Sequence, residues 1–349
     1  MKGSGSYRRG AIIKLKVSVA SFLIVVCGAA YYFLVYAPAH SIPPEVAYVL
    51  PSSATVVDTP AEVRLEIAQV KSDEKVQVLD RTHNWAQVRL ADGKTGWIEL
   101  KDLLDSGTYE RGQQVIRDMV KNPAQAAGHT TGEINLHLEP SRTSPELALL
   151  EPDEHVEIFG RRWAERATRD AQAPATPETK DEAAPGSSVR DAWYLIRAGG
   201  HGGWVLGRFV TLDVPADISV FAQGVNTVAW VVLNRVNDNG RKVPQYLVAD
   251  RMGTQEADFT HIRVFTWWSK NQHYVTAYVE SNLNGYFPIL VSQVDGKPQI
   301  RLRLVDKSGR KFQKVYGMSD TIVRPIGSVE GWESNVTPSH EVARSRHRR

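Results

Sequence analysis

The strongest constraint on this chain is a segment that occurs twice. Asp73-Glu74-Lys75-Val76-Gln77-Val78-Leu79 is echoed 80 residues later by Asp153-Glu154-His155-Val156-Glu157-Ile158-Phe159. Each copy reads as a polar turn followed by an alternating, half-buried strand. Downstream, Trp85-Ala86-Gln87-Val88-Arg89-Leu90 is echoed by Trp193-Tyr194-Leu195-Ile196-Arg197-Ala198. Both copies then run through a glycine turn to Gly-Trp, at Gly96-Trp97-Ile98 and Gly203-Trp204-Val205. Glycine admits positive φ in a tight hairpin, and the tryptophan beyond the turn is placed to return to the core. A repeated unit of this kind decides the architecture before composition does.

The offset grows from 80 to 107 or 108 because the second copy carries an insertion. The segment 164–191 holds Pro174, Pro177, Pro185 and Gly186 amid Ala, Glu, Thr and Ser, and reads as a disordered surface loop between two strands. Between the copies, Tyr109, Gly112, Ile116 and Met119 recur at helical spacing behind Ser106, an expected N-cap, so a helix over 106–122 is predicted to join them.

Short strands, a Trp-led strand, a Gly-containing hairpin and Gly-Trp-Ile/Val together resemble the bacterial SH3-like (SH3b) module. The second copy adds that family's opening, Asn135-Leu136-His137-Leu138, whereas Tyr48-Val49-Leu50-Pro51 replaces it in the first. The expected boundaries are 46–105 for the first module and 131–212 for the second. The resemblance implies small β-barrels and a peptidoglycan or wall-peptide ligand.

The N-terminus carries a separate signal. From Val17 to Tyr36 no charged residue occurs, and about 20 helical residues span a bilayer core. Lys2, Arg8, Arg9, Lys14 and Lys16 precede that stretch with no acidic residue among them. The positive-inside bias therefore predicts a cytoplasmic segment 1–16, a single-pass transmembrane helix over 17–36, and a periplasmic bulk. A cleavable signal peptide is the rival reading, with Ala37-Pro38-Ala39 in small-x-small form. The one cysteine, Cys27, lies inside this span, so no disulfide or thiol nucleophile follows it. Five of the 42 basic residues and none of the 39 acidic ones precede Pro38, leaving a formal charge of −2 on the remainder. That balance gives no reason to expect nucleic acid as a partner. The basic residues Arg344, Arg346, Arg348 and Arg349 fall in a tail, 333–349, that reads as disordered.

From 216 to 326 a short helix near Ile218–Gly224 is expected to precede eight strands, from Val228–Val236 to Thr321–Arg324. Asn239-Gly240, Asn284-Gly285, Asp295-Gly296 and Ser308-Gly309 punctuate them as antiparallel hairpins. A sandwich, a small barrel and a curved sheet over a helix all satisfy this pattern. The expected fold class is thus mainly β, with one N-terminal transmembrane helix, two SH3-like barrels and a C-terminal antiparallel domain.

Motif chemistry is sparse. There is no His-Glu-x-x-His, Gly-x-Ser-x-Gly or P-loop, and without a thiol a Cys-His hydrolase within the chain is excluded. His261 and His273, on successive expected strands, could face each other, but no third ligand accompanies them, so neither metal nor cofactor is expected. Tyr274, Tyr278 and Glu280 are two or four apart and read as one strand face beside Trp267 and Trp268, which is what a sugar or peptide groove uses. Trp85, Trp97, Trp193 and Trp204 are the module candidates for ligand contact, with core packing as the competing role. The resulting expectation is a non-enzymatic envelope protein that binds cell-wall peptide or an envelope protein through paired modules. An assembly scaffold and an enzyme centred on the C-terminal third are the alternatives.

Overall fold

The structure, a computed structural model, describes residues 45–165, 190–253 and 256–332. The described chain is mainly β, in four antiparallel sheets. The first sheet comprises β1 (Glu45–Val49), β2 (Ser53–Val57), β3 (Glu66–Lys71), β4 (Lys75–Thr82), β5 (Trp85–Arg89), β6 (Thr95–Glu99) and β7 (Leu103–Asp105). The second comprises β8 (Ala126–Thr130), β9 (Ile134–His137), β10 (Glu146–Leu150), β11 (His155–Glu165), β12 (Arg190–Ala198), β13 (His201–Leu206) and β14 (Val210–Leu212). Their spatial orders, β3-β2-β6-β5-β4-β1-β7 and β10-β9-β13-β12-β11-β8-β14, match strand for strand.

The correspondence extends to details. Asp73 and Asp153 take left-handed φ values of 63° and 62° at equivalent turns. The β4–β5 ladder slips between Val78 and Asp80, and β11–β12 slips between Ile158 and Gly160, 80 residues on. The glycine of each Gly-Trp pair has one physical cause. A Cβ on Gly96 would sit 2.8 Å from the Val57 carbonyl oxygen, and one on Gly203 would sit 2.6 Å from that of His137. Only glycine lets β6 reach β2, and β13 reach β9, at that distance.

Helix α1 (Ser106–Met119) joins the two sheets. Its N-cap is Asp105, not the expected Ser106: the Asp105 carboxylate accepts the Thr108 N–H at 2.9 Å. Gly112, unfavourable by propensity, packs against Leu147, whose side chain would lie 3.1 Å from a Cβ placed there and would have to shift to admit one. Tyr109 stacks on Tyr48 with ring centroids 3.7 Å apart, and His201 Nε2 approaches Asp73 Oδ2 at 3.2 Å and Ser72 Oγ at 3.3 Å.

After the short helix α2 (Ser219–Ala222), β15 (Thr227–Asp238), β16 (Arg241–Asp250), β17 (His261–Trp268) and β18 (His273–Glu280) form a four-stranded meander. A second meander follows in β19 (Gly285–Val294), β20 (Lys297–Val305), β21 (Lys311–Ser319) and β22 (Ile322–Glu330). One buried cluster draws Val228, Leu247, Val264, Ile289, Leu302 and Tyr316 from both sheets, which makes this third a two-sheet sandwich. Gln125 joins it to the second module. Its buried side chain donates to the Ile289 carbonyl at 3.3 Å and accepts the Ile289 N–H at 2.6 Å, while its own carbonyl accepts the Trp230 N–H.

Among the described residues no helix is long and apolar enough to cross a membrane. The predicted transmembrane helix therefore has no place in the observed fold class, and the 17–36 segment assigned to it lies outside the described residues. The predicted basic tail 333–349 and most of the insertion also lie outside them. On either side of the insertion, β11 and β12 stay paired to their ends, Glu165 opposite Arg190.

Candidate functional site

The first sheet presents an aromatic face that the second conceals. On β5 and β6, Ala86, Val88 and Ile98 are buried in the core, so alternation sends Trp85, Gln87, Trp97 and Glu99 to the opposite face. Trp85 pairs with Glu99, and Gln87 with Trp97, which makes the two tryptophans near neighbours on one half-exposed surface. The expectation that the tryptophan after the turn returns to the core is thereby corrected in this module: Ile98, its neighbour, takes that place.

A loop folds over the same face. Asp58 accepts the Leu65 N–H on its carboxylate at 2.9 Å and donates its own N–H to the Leu65 carbonyl at 3.0 Å, closing the β2–β3 connection at its base. The Arg64 guanidinium lies 5.1 Å from the Trp85 ring centroid, a cation–π contact worth about 0.5–1 kcal/mol at an exposed site. Val63 and Leu65 beside it are 90% and 72% exposed. Two uncovered aliphatic side chains, an arginine and two indoles on adjoining surface suit an extended peptide with apolar and acidic groups. Reading residue types did not single out Arg64, Val63 and Leu65. The available signal was two aliphatic residues flanking an arginine in a segment that had to be a loop.

In the second module the equivalent residues are closed off. Trp193 is 2% exposed and Trp204 5%, both within the core cluster. The His137 ring meets Trp193 edge-on at 5.5 Å, Arg162 lies 5.5 Å over Trp204, and Arg142 bonds Asp191 at 2.9 Å beside them.

The C-terminal candidates do not form one surface. The β17–β18 ladder slips between Val264 and Phe265, whose partners are Tyr278 and Thr276, so Ala277 is the bulged residue. The bulge reverses alternation. Tyr274 packs with Tyr246, Phe265 and Trp267 on one side of the sheet, its hydroxyl donating to the Pro244 carbonyl at 2.8 Å. Tyr278 and Glu280 lie on the other, toward the second meander.

There Glu280 is a structural tie between sheets. Its carboxylate accepts from Lys314 Nζ at 2.6 Å, the Tyr278 hydroxyl at 2.7 Å and the Tyr316 hydroxyl at 2.9 Å. Burial acts to raise the Glu280 carboxyl, but these three hydrogen bonds outweigh it and hold the group below the usual carboxylate range. Burial together with Glu280 pushes the Tyr278 phenol up to about 12. Three of the roughly four lone-pair positions of this carboxylate are thus taken by groups of the fold itself.

His261 and His273 open successive antiparallel strands and so stand at opposite ends of the β17–β18 hairpin, not facing each other. His261 meets the Ser281 hydroxyl at 2.8 Å, and His273 donates from Nδ1 to the Asn271 carbonyl. Among the described residues no cluster of three His, Cys, Asp or Glu side chains could hold a metal.

Comparison with known proteins places a family on part of this architecture. The bacterial SH3 domain family matches residues 66–105, which run from β3 through β7. The second sheet is not matched by that family, and none of the curated proteins matches the chain. Similar solved structures include NlpC2 from Trichomonas vaginalis, at 12% identity over 84% of this chain and 100% of that one, with a TM-score of 0.17. An NlpC/P60 family protein from Bacillus cereus is 10% identical over 68% of this chain and 94% of that one, with a TM-score of 0.22. NlpC1 from T. vaginalis, at 11%, covers 83% and 94% with a TM-score of 0.17. The expectation of a non-enzymatic chain is withdrawn on these matches, although similarity at such TM-scores assigns no activity to this protein.

Proposed function

We propose that this protein acts outside the cytoplasm at the bacterial cell wall, binding an extended peptide, that of peptidoglycan, on the face of its first module. The second seven-stranded sheet is a second SH3-like module by its strand order, held in a closed form that positions the first. The observation that carries this reading is the half-exposed face of Trp85 and Trp97, with Arg64 over the Trp85 ring and its sequence neighbours Val63 and Leu65 uncovered. A family match over 66–105 supports a bacterial SH3 module at that place, and the loop bearing Arg64 directly precedes the matched residues.

The binding step is apolar burial guided by charge. An aliphatic group entering between Val63, Leu65 and Trp85 leaves water at about 25 cal/mol per Å², while Arg64 supplies a donor for a peptide carboxylate or carbonyl. Co-sedimentation of the purified full chain with isolated sacculi tests this. The wild type pellets with sacculi, and Trp85→Ala and Arg64→Ala remain in the supernatant while keeping the wild-type melting temperature within a few degrees. Retention of both variants on sacculi excludes this face as the site.

A further inference from the structure

The outer face of the second meander carries a groove that the fold leaves open. Ile300, Leu302, Tyr316, Met318 and Val323 point into the sandwich core, so alternation sends Lys297, Gln299, Gly317 and Arg324 to the opposite face. Gln299 pairs with Gly317 and Gly317 with Arg324, which sets the three side by side on β20, β21 and β22. With no side chain at its centre, this row is the floor of a trough. Val294 on β19 walls one side, and Ile322 and Ile326 on β22 wall the other. The space between them is mostly apolar and about 440 Å³, within the range of small-molecule sites, about 300–1,000 Å³. Val294, Ile322 and Ile326 remain 47%, 55% and 59% exposed, and adjoining uncovered aliphatic groups mark a binding surface. The other end of the same face is covered. There the Trp332 indole donates to the Leu304 carbonyl at 3.1 Å and packs 5.5 Å from the Tyr286 ring, beneath Arg303 and Lys311.

The groove is set in a cationic surface. Lys297 and Arg324 line it, and neither is among the ion pairs of this meander, where Arg310 holds Asp306 and Glu330 and Lys314 holds Glu280. Asp320, in the β21–β22 turn, is the acidic group of the lining. Over residues 285–330 eight basic side chains stand against four acidic ones, a formal charge of +4, whereas residues 38–349 as a whole carry −2. Such a local excess attracts anions to this face.

An added peptide strand does not suit the geometry. β22 is the edge of its sheet, yet Pro325 within it lacks an N–H. Ile326 is bulged out of the ladder, since Tyr316 pairs with Pro325 and Val315 with Gly327. An edge interrupted in this way gives a pairing strand no continuous set of partners. An alkyl chain needs none.

We propose that this groove binds a long-chain carboxylate, its alkyl chain lying over Gly317 between Val294 and the Ile322–Ile326 wall and its head group at Lys297 and Arg324. The aliphatic walls supply apolar burial, and the two cations supply charge-assisted hydrogen bonds to the carboxylate. The site is on a different sheet from the Trp85 face and is independent of it.

Calorimetric titration of the full chain with sodium decanoate, below micelle-forming concentrations, tests the assignment. Decanoate binds saturably, and octanoate and hexanoate bind more weakly by roughly three- to fourfold for each buried methylene removed. Decyl maltoside, which keeps the chain and loses the charge, binds about fivefold more weakly or less tightly still. Gly317→Val fills the floor of the groove, where a Cβ already lies 3.3 Å from Ile326 Cγ2, and abolishes binding without lowering the melting temperature. The double variant Lys297→Gln, Arg324→Gln weakens decanoate about fivefold and leaves decyl maltoside unchanged. Where Gly317→Val does not fold, this surface variant decides: unchanged decanoate affinity overturns the site. Equal affinity of the wild type for decanoate and decyl maltoside overturns it as well. So does a dimer of the full chain, seen by sedimentation, that Gly317→Val dissociates, because the groove is then an interface between two copies.

Discussion

Trp85 and Trp193 occupy equivalent strand positions and meet opposite environments, so the same substitution has opposite consequences. Trp193→Ala opens a cavity in a packed core, an expected loss of about 3–5 kcal/mol, whereas Trp85→Ala costs about 1 kcal/mol; urea unfolding of the two variants measures the contrast. The glycine turn before each Gly-Trp pair suggested that its tryptophan returns to the core. In the first module that fails because Ile98 and Ala86 already fill the inward positions, and a period of two leaves Trp85 and Trp97 outside. Asp258 offers a second residue-level test. Its unfolded value lies near 3.8 and its folded value at about 7 because burial penalises the charged form. Between those values the folded chain holds a proton the unfolded chain has released, so stability falls as pH rises from about 4 to about 7 and is flat above. Asp258→Asn flattens this dependence, of up to about 4 kcal/mol; denaturant midpoints at pH 5 and pH 8 check it.

At the scale of elements, turn chemistry was the most readable feature. Asn239-Gly240 and Asp295-Gly296 have positive φ at both positions and close the β15–β16 and β19–β20 hairpins. Asn284-Gly285 carries the same dipeptide and is no such turn, because Gly285 begins β19 and bridges Phe259. A Cβ at Gly285 would lie 2.2 Å from the Phe259 ring, so close packing rather than backbone freedom selects glycine. Gly285→Ala is accordingly expected to destabilise the sandwich by about 1–3 kcal/mol, or more if Phe259 cannot shift, measurable as a lower melting temperature. The β18 bulge lay beyond sequence reasoning for a related reason. Nothing in Tyr274-Val275-Thr276-Ala277-Tyr278 announces an extra residue, yet that residue separates Tyr274 from Tyr278 and Glu280 and turns an expected groove into an inter-sheet tie. Helix α1 shows a smaller error of the same kind, its cap lying one residue upstream at Asp105.

Across the whole molecule, the duplicated strand order was foreshadowed by the echoed segments at 73–79 and 153–159, since each echo contains the turn and strand that set the register. The sandwich was legible as eight strands but not as two sheets, because the β18–β19 crossover depends on Phe259 meeting Gly285 rather than on any local signal. Junctions between units were invisible in sequence: Gln125, Tyr48 with Tyr109, and His201 with Asp73 are ordinary residues until the fold pairs them. Their effect is to hold a closed second module between an open first module and the sandwich. The most direct test of that account is equilibrium binding of the full chain to purified peptidoglycan fragments bearing stem peptides, comparing wild type, Trp85→Ala and Trp204→Phe. The account predicts saturable binding by the wild type, a loss of about tenfold or more in Trp85→Ala, and wild-type affinity in Trp204→Phe. Undiminished binding by Trp85→Ala, or loss confined to Trp204→Phe, contradicts it.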